Sequence, residues 1–175
     1  MIKAFTLVLV LFQIHLFGQE NLKDTCKLVE VTISNDGTLN WTTQNEKSSK
    51  VFEIHQFRWN RWVKVGEIDG HGAPSITRYQ FKIIPHSGEN QIRVMLVNES
   101  YLSRIVKFNS LVPKIKYTID KKTEEIKFTY DTMYEIIDTE GSLLKRGFGP
   151  SVSYKNMPEG KYILNWDNSN TNIKL

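Results

Sequence analysis

Between residues 27 and 109, apolar and polar positions alternate in short runs, the pattern of strands with one face buried and the other in water. Seven such runs stand out, at 27–34, 38–43, 50–57, 62–68, 79–84, 91–98 and 103–109. Turn-forming segments separate them, among them Asn35-Asp36-Gly37 and the stretches 70–74 and 85–89, whose Gly, Asn, Asp and Pro favour turns for backbone reasons. No long helical period interrupts the series. Seven short strands at this spacing predict a sandwich of two packed sheets.

Residues 111–113 read as a linker, because Pro113 holds its predecessor extended and cannot join a central strand. A second series follows at 114–120, 125–130, 133–138, 142–147, 151–154, 161–166 and 172–175. Its turns, Thr139-Glu140-Gly141, Pro158-Glu159-Gly160 and 167–170, carry the residues that tight hairpins need. The expected fold class is therefore all-β, with two consecutive small immunoglobulin-like or fibronectin type III-like sandwiches over 27–110 and 114–175. A second domain that small should lean on its neighbour or on a partner.

The N terminus changes the compartment. Lys3 precedes an apolar run from Ala4 to Phe17 and a small residue, Gly18. This predicts a secretory signal over 1–18 with cleavage at Gly18/Gln19, followed by an extension over 19–26. The run is short for a membrane span and Gln13 and His15 interrupt it, so no integral span is expected after cleavage. Cys26 is the single cysteine of the 175 residues, which excludes a disulfide within the chain. The residues before it, Leu22 to Thr25, lack the small uncharged pattern that precedes an acylated cysteine. Charge adds little: 23 Lys and Arg against 19 Asp and Glu give +4 and a pI near 9.1 without a basic block, and nucleic-acid binding is not indicated.

Two resemblances rest on particular residues. Trp41 in an early strand, Phe52-Glu53-Ile54, Trp62 with Val65 to Ile68, and Asn90 to Val94 resemble the fibronectin type III-like modules common in exported proteins of the Bacteroidota. That likeness covers 27–109 and implies that Trp41 and Trp62 face the core; Ile92 stands where the family has an aromatic residue. The second series resembles the C-terminal sorting domain, type A-like, of type IX secretion cargo. Tyr134 to Asp138, Gly141, Leu144-Lys145, Gly147, Val152 to Met157, Gly160 to Leu164 and the terminal Ile173-Lys174-Leu175 carry it. The resemblance implies export across the outer membrane to the cell surface or the medium, with Asp138, Gly141, Gly160, Tyr162 and Lys174 as the sorting-like motif. The family's opening Pro-Asn-Pro element is replaced here by Pro113-Lys114-Ile115-Lys116, so the fold carries over more safely than removal of the domain.

No constellation points to catalysis. His55, His71 and His86 are each isolated from the partners that a nucleophile, base or metal site requires, so neither cofactor nor metal is expected. The alternation on its strand turns His55 to solvent. Asp69-Gly70-His71-Gly72 lacks the helix that a phosphate loop precedes and reads as a connection. Asp131-Thr132-Met133 looks like an O-glycosylation acceptor at Thr132, and Asn40 and Asn98 open Asn-x-Thr/Ser triplets.

The stretch Phe57 to Val65, FRWNRWVKV, is the sharpest candidate surface. With Trp62 assigned to the core, Arg58, Trp59 and Arg61 are left at the hairpin tip, where they read either as an exposed interface anchor or as Trp59 folded back on its own strand with the arginines solubilising the edge. The functional expectation is a non-catalytic, secreted or surface-displayed binding or adaptor module. Its partner would be a protein, either secretion machinery or an outer-membrane complex, with a glycan as a further ligand class. The alternative is a structural accessory subunit of an outer-membrane assembly; a small glycan-active enzyme has the least support.

Overall fold

A computed structural model describes residues 26–46, 48, 50–99 and 101–175. The signal segment, its cut and the extension up to residue 25 lie outside the described residues. Thirteen strands follow and no α-helix occurs among the described residues; the single helical turn is a 3-10 turn over Val97–Glu99.

The first sandwich is built from β1 (Lys27–Ile33), β2 (Thr38–Gln44), β3 (Val51–Arg58), β4 (Arg61–Asp69), β5 (Thr77–Lys82), β6 (Gly88–Leu96), the short β7 (Tyr101–Leu102) and β8 (Val106–Ser110). One sheet runs β1-β2-β5. The other runs β4-β3-β6, with β7 and β8 both on the far side of β6. All pairs are antiparallel. A three-stranded sheet facing a larger one in this order is a fibronectin type III-like sandwich. Alternate residues point inward as the pattern requires: Val31, Leu39, Trp41 and Tyr79 from one sheet meet Phe52, Ile54, Ile92, Val94, Leu96, Val106 and Phe108 from the other. Trp41, 1% exposed, stacks on Tyr79 at 5.3 Å and meets Phe52 edge-on at 5.9 Å. Cys26 also lies inside this core, so it is a packing residue at the head of β1.

Trp62 departs from expectation. It stands opposite Phe57 on the outer face of the larger sheet, with its ring edge-on to Phe57 at 5.4 Å and the Arg93 guanidinium 4.1 Å above it. The reason is a bulge in the β3–β4 pairing: Ile54 pairs with Gly66 but His55 pairs with Lys64, so Val65 is the extra residue. Counting back from the inward Ile68 in steps of two lands on Trp62. The bulge shifts the phase by one, which sends Val63 inward and Trp62 outward. His55 shares that outer face but is tucked against it, with Nε2 2.9 Å from the Glu53 carboxylate, so it is not the freely solvated side chain expected.

The second sandwich has fewer and longer strands than expected: β9 (Tyr117–Asp120), β10 (Glu125–Ile137), β11 (Leu143–Ser153), β12 (Lys161–Trp166) and β13 (Ser169–Lys174). Two pairs of anticipated strands are each one continuous strand, because the breaks read at Asp131 and Pro150 are irregularities inside the long β10–β11 hairpin. Its register jumps between Lys127 and Thr132, where the hairpin bends. The first half of β10 pairs with β9 and the second half with β12, which in turn pairs with β13. The folded sheet closes on Ile126, Phe128, Ile136, Val152, Leu164, Trp166 and Ile173, a core separate from the first. Trp166 is fixed there by its Nε1–H, which donates to the Ile115 carbonyl at 3.0 Å.

Candidate functional site: a clasp between the sandwiches

The β3–β4 hairpin closes through a two-residue loop, Trp59-Asn60, with Arg58 opposite Arg61. Both loop residues have positive φ, 53° and 60°, the arrangement whose twist matches paired strands. Asn tolerates that conformation; a tryptophan there costs about 1 kcal/mol. Something must hold it, and the second sandwich does. Trp59 is 6% exposed, belongs to neither core cluster, and its backbone N–H donates to Asn168 Oδ1 at 3.3 Å. The tip read as exposed is therefore covered. Arg58 is fully buried, and only Arg61 keeps about half of its side chain in water.

The guanidinium of Arg58 organises the joint. Its Nε donates to Gln56 Oε1 at 2.7 Å, one terminal nitrogen to the Ile84 carbonyl at 2.6 Å and the other to the Asp167 carbonyl at 3.1 Å. Gln56 passes the order inward through Asn90 Oδ1 at 2.7 Å, and Asn90 accepts from the His86 amide and donates to the His86 and Gly88 carbonyls, each at 3.0 Å. From the far side, the Asp167 carboxylate accepts the Ser87 amide at 2.7 Å and the Ser87 hydroxyl, while its own amide donates to Thr132 Oγ1 at 2.9 Å. Burial lowers the Arg58 pKa from 12.5 to about 10, with Asp167 opposing the shift. The guanidinium stays charged at neutral pH. His86 is held below its usual value, first by burial and then by the charge of Arg58. Its Nδ1–H donates to the Ser87 carbonyl at 2.8 Å, and Nε2 is buried.

Beside this network lies an ion cluster. Glu135, 0% exposed, projects from the face of β10 turned away from its own core. Its neighbours in register are Arg146 on β11 and Asn165 on β12, and both bond to it, at 2.6 and 2.9 Å; Arg61 reaches across from the first sandwich to the same carboxylate. Burial alone would raise the Glu135 pKa, but the bonds from Asn165, Arg146 and Arg61 outweigh it and the carboxyl sits below its usual range. One buried carboxylate thus serves two half-exposed guanidinium groups, and this three-residue cluster carries net positive charge.

Other sequence candidates fall elsewhere. Thr132, read as a glycosylation acceptor, is 3% exposed with its hydroxyl bonded to the Met133 carbonyl at 3.2 Å, so it belongs to the joint and offers no access in the folded chain. The sorting-like residues are spread along the second sandwich and do not converge. Asp138 closes its turn by accepting the Glu140 and Ser142 amides at 2.9 and 2.8 Å, and Gly141 takes the positive φ of 90° that this turn demands. Gly160 exchanges two backbone bonds with Leu175, Tyr162 is buried with its hydroxyl donating to the Pro158 carbonyl at 2.6 Å, and Lys174 is exposed on β13 opposite Lys161. The loop around His71 is pinned by buried Glu46, which accepts from Thr43, Tyr79 and the Gly72 amide at 3.0, 2.7 and 2.9 Å; burial pushes the Tyr79 phenol up to about 12. Among the described residues, no cluster of His, Cys, Asp and Glu is placed to hold a metal ion.

Sequence reasoning missed Glu135, Asp167, Gln56 and Asn90. A signal existed for two of them: Gln56 and Asn90 occupy inward positions of otherwise apolar strands, where an unpaired polar group is costly. Glu135 and Asp167 lie at strand and turn positions that look like ordinary solvated charge.

No family model and no curated protein matches the chain. Among solved structures it is similar to a biofilm-associated protein, BSP domain, at 9% identity and a TM-score of 0.30, over 86% of this chain and 29% of that one. It is also similar to the FN1–FN3 domains of chicken CNTN1 at 13% identity and a TM-score of 0.28, over 84% of this chain. The chain spans 65% of that structure. The strand order and register above, rather than these loose overlaps, define the fold.

Proposed function

We propose that the chain is an exported, non-catalytic binding or adaptor module that works as one two-sandwich body. The clasp carries this reading: severing the second sandwich would take the Asp167 carbonyl from Arg58, the Arg61 guanidinium from Glu135 and the Asp167 carboxylate from Ser87, and would bare Trp59. A buried donor or acceptor left without its partner costs about 1–3 kcal/mol. The sorting-like sandwich therefore reads as a retained part of the working protein, with export through type IX secretion and display on the outer face of the cell or release as the route its resemblance implies. The groups that could do acid–base work support the non-catalytic side, since His86, Glu46, Glu135 and Asp167 are each spent on holding backbone or neighbouring side chains.

The test is the intact mass and cell fraction of the native protein. A product that begins at Gln19 and runs to Leu175, found at the cell surface or in the medium, is expected. A mature product ending near residue 110, or one retained inside the cell, would overturn it. The accessory-subunit alternative draws on Leu111, Leu143, Leu144 and Phe148, large apolar residues left exposed. Affinity purification that returns an outer-membrane complex at constant stoichiometry would favour it over a free module.

A further inference from the structure

Where the clasp ends, a cleft opens between the sandwiches. Val65, Phe81 and Ile84 from the first and Met133, Gly147 and Phe148 from the second line a mostly apolar cavity of about 240 Å³, with Lys82 and Arg146 at its polar side. Three consecutive residues of β11, Arg146 to Phe148, border it. Met133, Arg146 and Phe148 share one face of the β10–β11 pair and Gly147 has no side chain to screen its backbone, so the cavity lies over that face beside the outermost strand of the sheet. The outer edge of that strand is open among the described residues, where β11 pairs only with β10. It is also apolar, with Phe148 51% exposed and Leu143 and Leu144 nearly as much.

From these observations we infer that the β11 edge and the adjoining cleft form a docking site for an extended acidic segment of a partner protein, added to the sheet as a strand with one large apolar side chain in the cleft. The inference rests on the binding-module reading. Strand addition draws affinity from main-chain bonds and selectivity from pockets beside the edge, and both elements lie side by side here. Charge selects the occupant. Glu135 is wholly buried, while Arg146, which lines the cleft, and Arg61, bound to the same carboxylate, keep 45% and 46% of their side chains in water, so guanidinium charge is exposed beside the cleft. A second copy paired antiparallel about Lys145 or about Arg146 would set that residue against its own duplicate, which disfavours self-association in this part of the edge.

The probe is a fluorescein-labelled synthetic peptide of alternating Thr and Glu with one central Phe, titrated against the purified chain by anisotropy and mapped by amide hydrogen exchange. Binding with slowed exchange confined to β11 is expected. Exchanging Glu for Lys, methylating alternate peptide nitrogens, or introducing Phe148→Glu should each weaken it by about tenfold or more, since each removes one of the three recognition elements. Ile76→Ser, an exposed residue outside the cleft lining, should leave it unchanged. No binding at about 1 mM peptide, protection mapping to the Trp62 face, equal affinity for the Lys peptide, or a chain dimer that Phe148→Glu disperses would each overturn the proposal. A native partner that cross-links away from β11 would remove this site while leaving the binding-module reading intact.

Discussion

Replacing Arg58 with methionine tests the clasp at its centre. Methionine fills much of the same volume without charge or donors, so the change isolates the guanidinium. Three acceptors lose their donor: Gln56 Oε1, the Ile84 carbonyl and the Asp167 carbonyl. Charge-assisted bonds of this kind contribute about 2 kcal/mol each, so about 6 kcal/mol is at stake. Against this, burial lowers the Arg58 pKa from 12.5 to about 10, which corresponds to about 3 kcal/mol spent on keeping the charge there. The balance is a destabilisation of about 3 kcal/mol, or about 9 °C in melting temperature for a chain of this size. Urea denaturation followed by tryptophan fluorescence measures it, with Arg78→Met on the exposed side of β5 as the control expected within about 0.5 kcal/mol of the parent. The single cooperative transition should split into two, because the second sandwich then unfolds without waiting for the first. If Arg58→Met unfolds at the parent's midpoint in a single step, the guanidinium does not join the domains and the reasoning fails.

Acid should loosen the same joint in two stages. His86 has a folded pKa below its ordinary 6.5, so its contribution is complete above that pH and is lost as pH falls toward the folded value; Glu135, lowered from 4.5, adds a second loss as pH falls through its own folded value. Denaturant midpoints at stepped pH check this, and His86→Gln should flatten the upper stage. Trp41→Ala should cost about 4 kcal/mol as a core truncation, whereas Trp62→Ala on the outer face should cost about 1 kcal/mol, mostly its contact with Arg93; equal losses would contradict the assigned faces. Gly66→Ala would place a methyl group into the Phe81 ring, so a loss of about 2 kcal/mol is expected in thermal melts, and a neutral result would mean the ring moves freely aside.

Much of the architecture is legible because a strand announces itself by alternation. The inward series Leu39-Trp41 and Ile92-Val94-Leu96 follow from period two alone. What escaped reading came from events that period two does not encode. The extra residue at Val65 is ordinary in composition yet turns Trp62 to the opposite face, and the bend inside β10 leaves no proline or glycine at Asp131 to separate a kinked strand from two short ones. The joint was harder still. Arg58, Trp59 and Arg61 are conspicuous as a cluster, but whether such a cluster meets a foreign partner or the chain's own second domain depends on contacts across 109 positions for Arg58 and Asp167 and 74 for Arg61 and Glu135. The residue types were readable as an interface; the identity of the surface they meet was not.

The claim that the two sandwiches form one body is tested most directly by residual dipolar couplings of backbone amides in the weakly aligned chain. A single alignment tensor fitting both 27–110 and 114–175 is predicted. Two tensors of clearly different magnitude and orientation would show that the sandwiches reorient independently, and would contradict a clasp built on Arg58, Trp59 and Glu135.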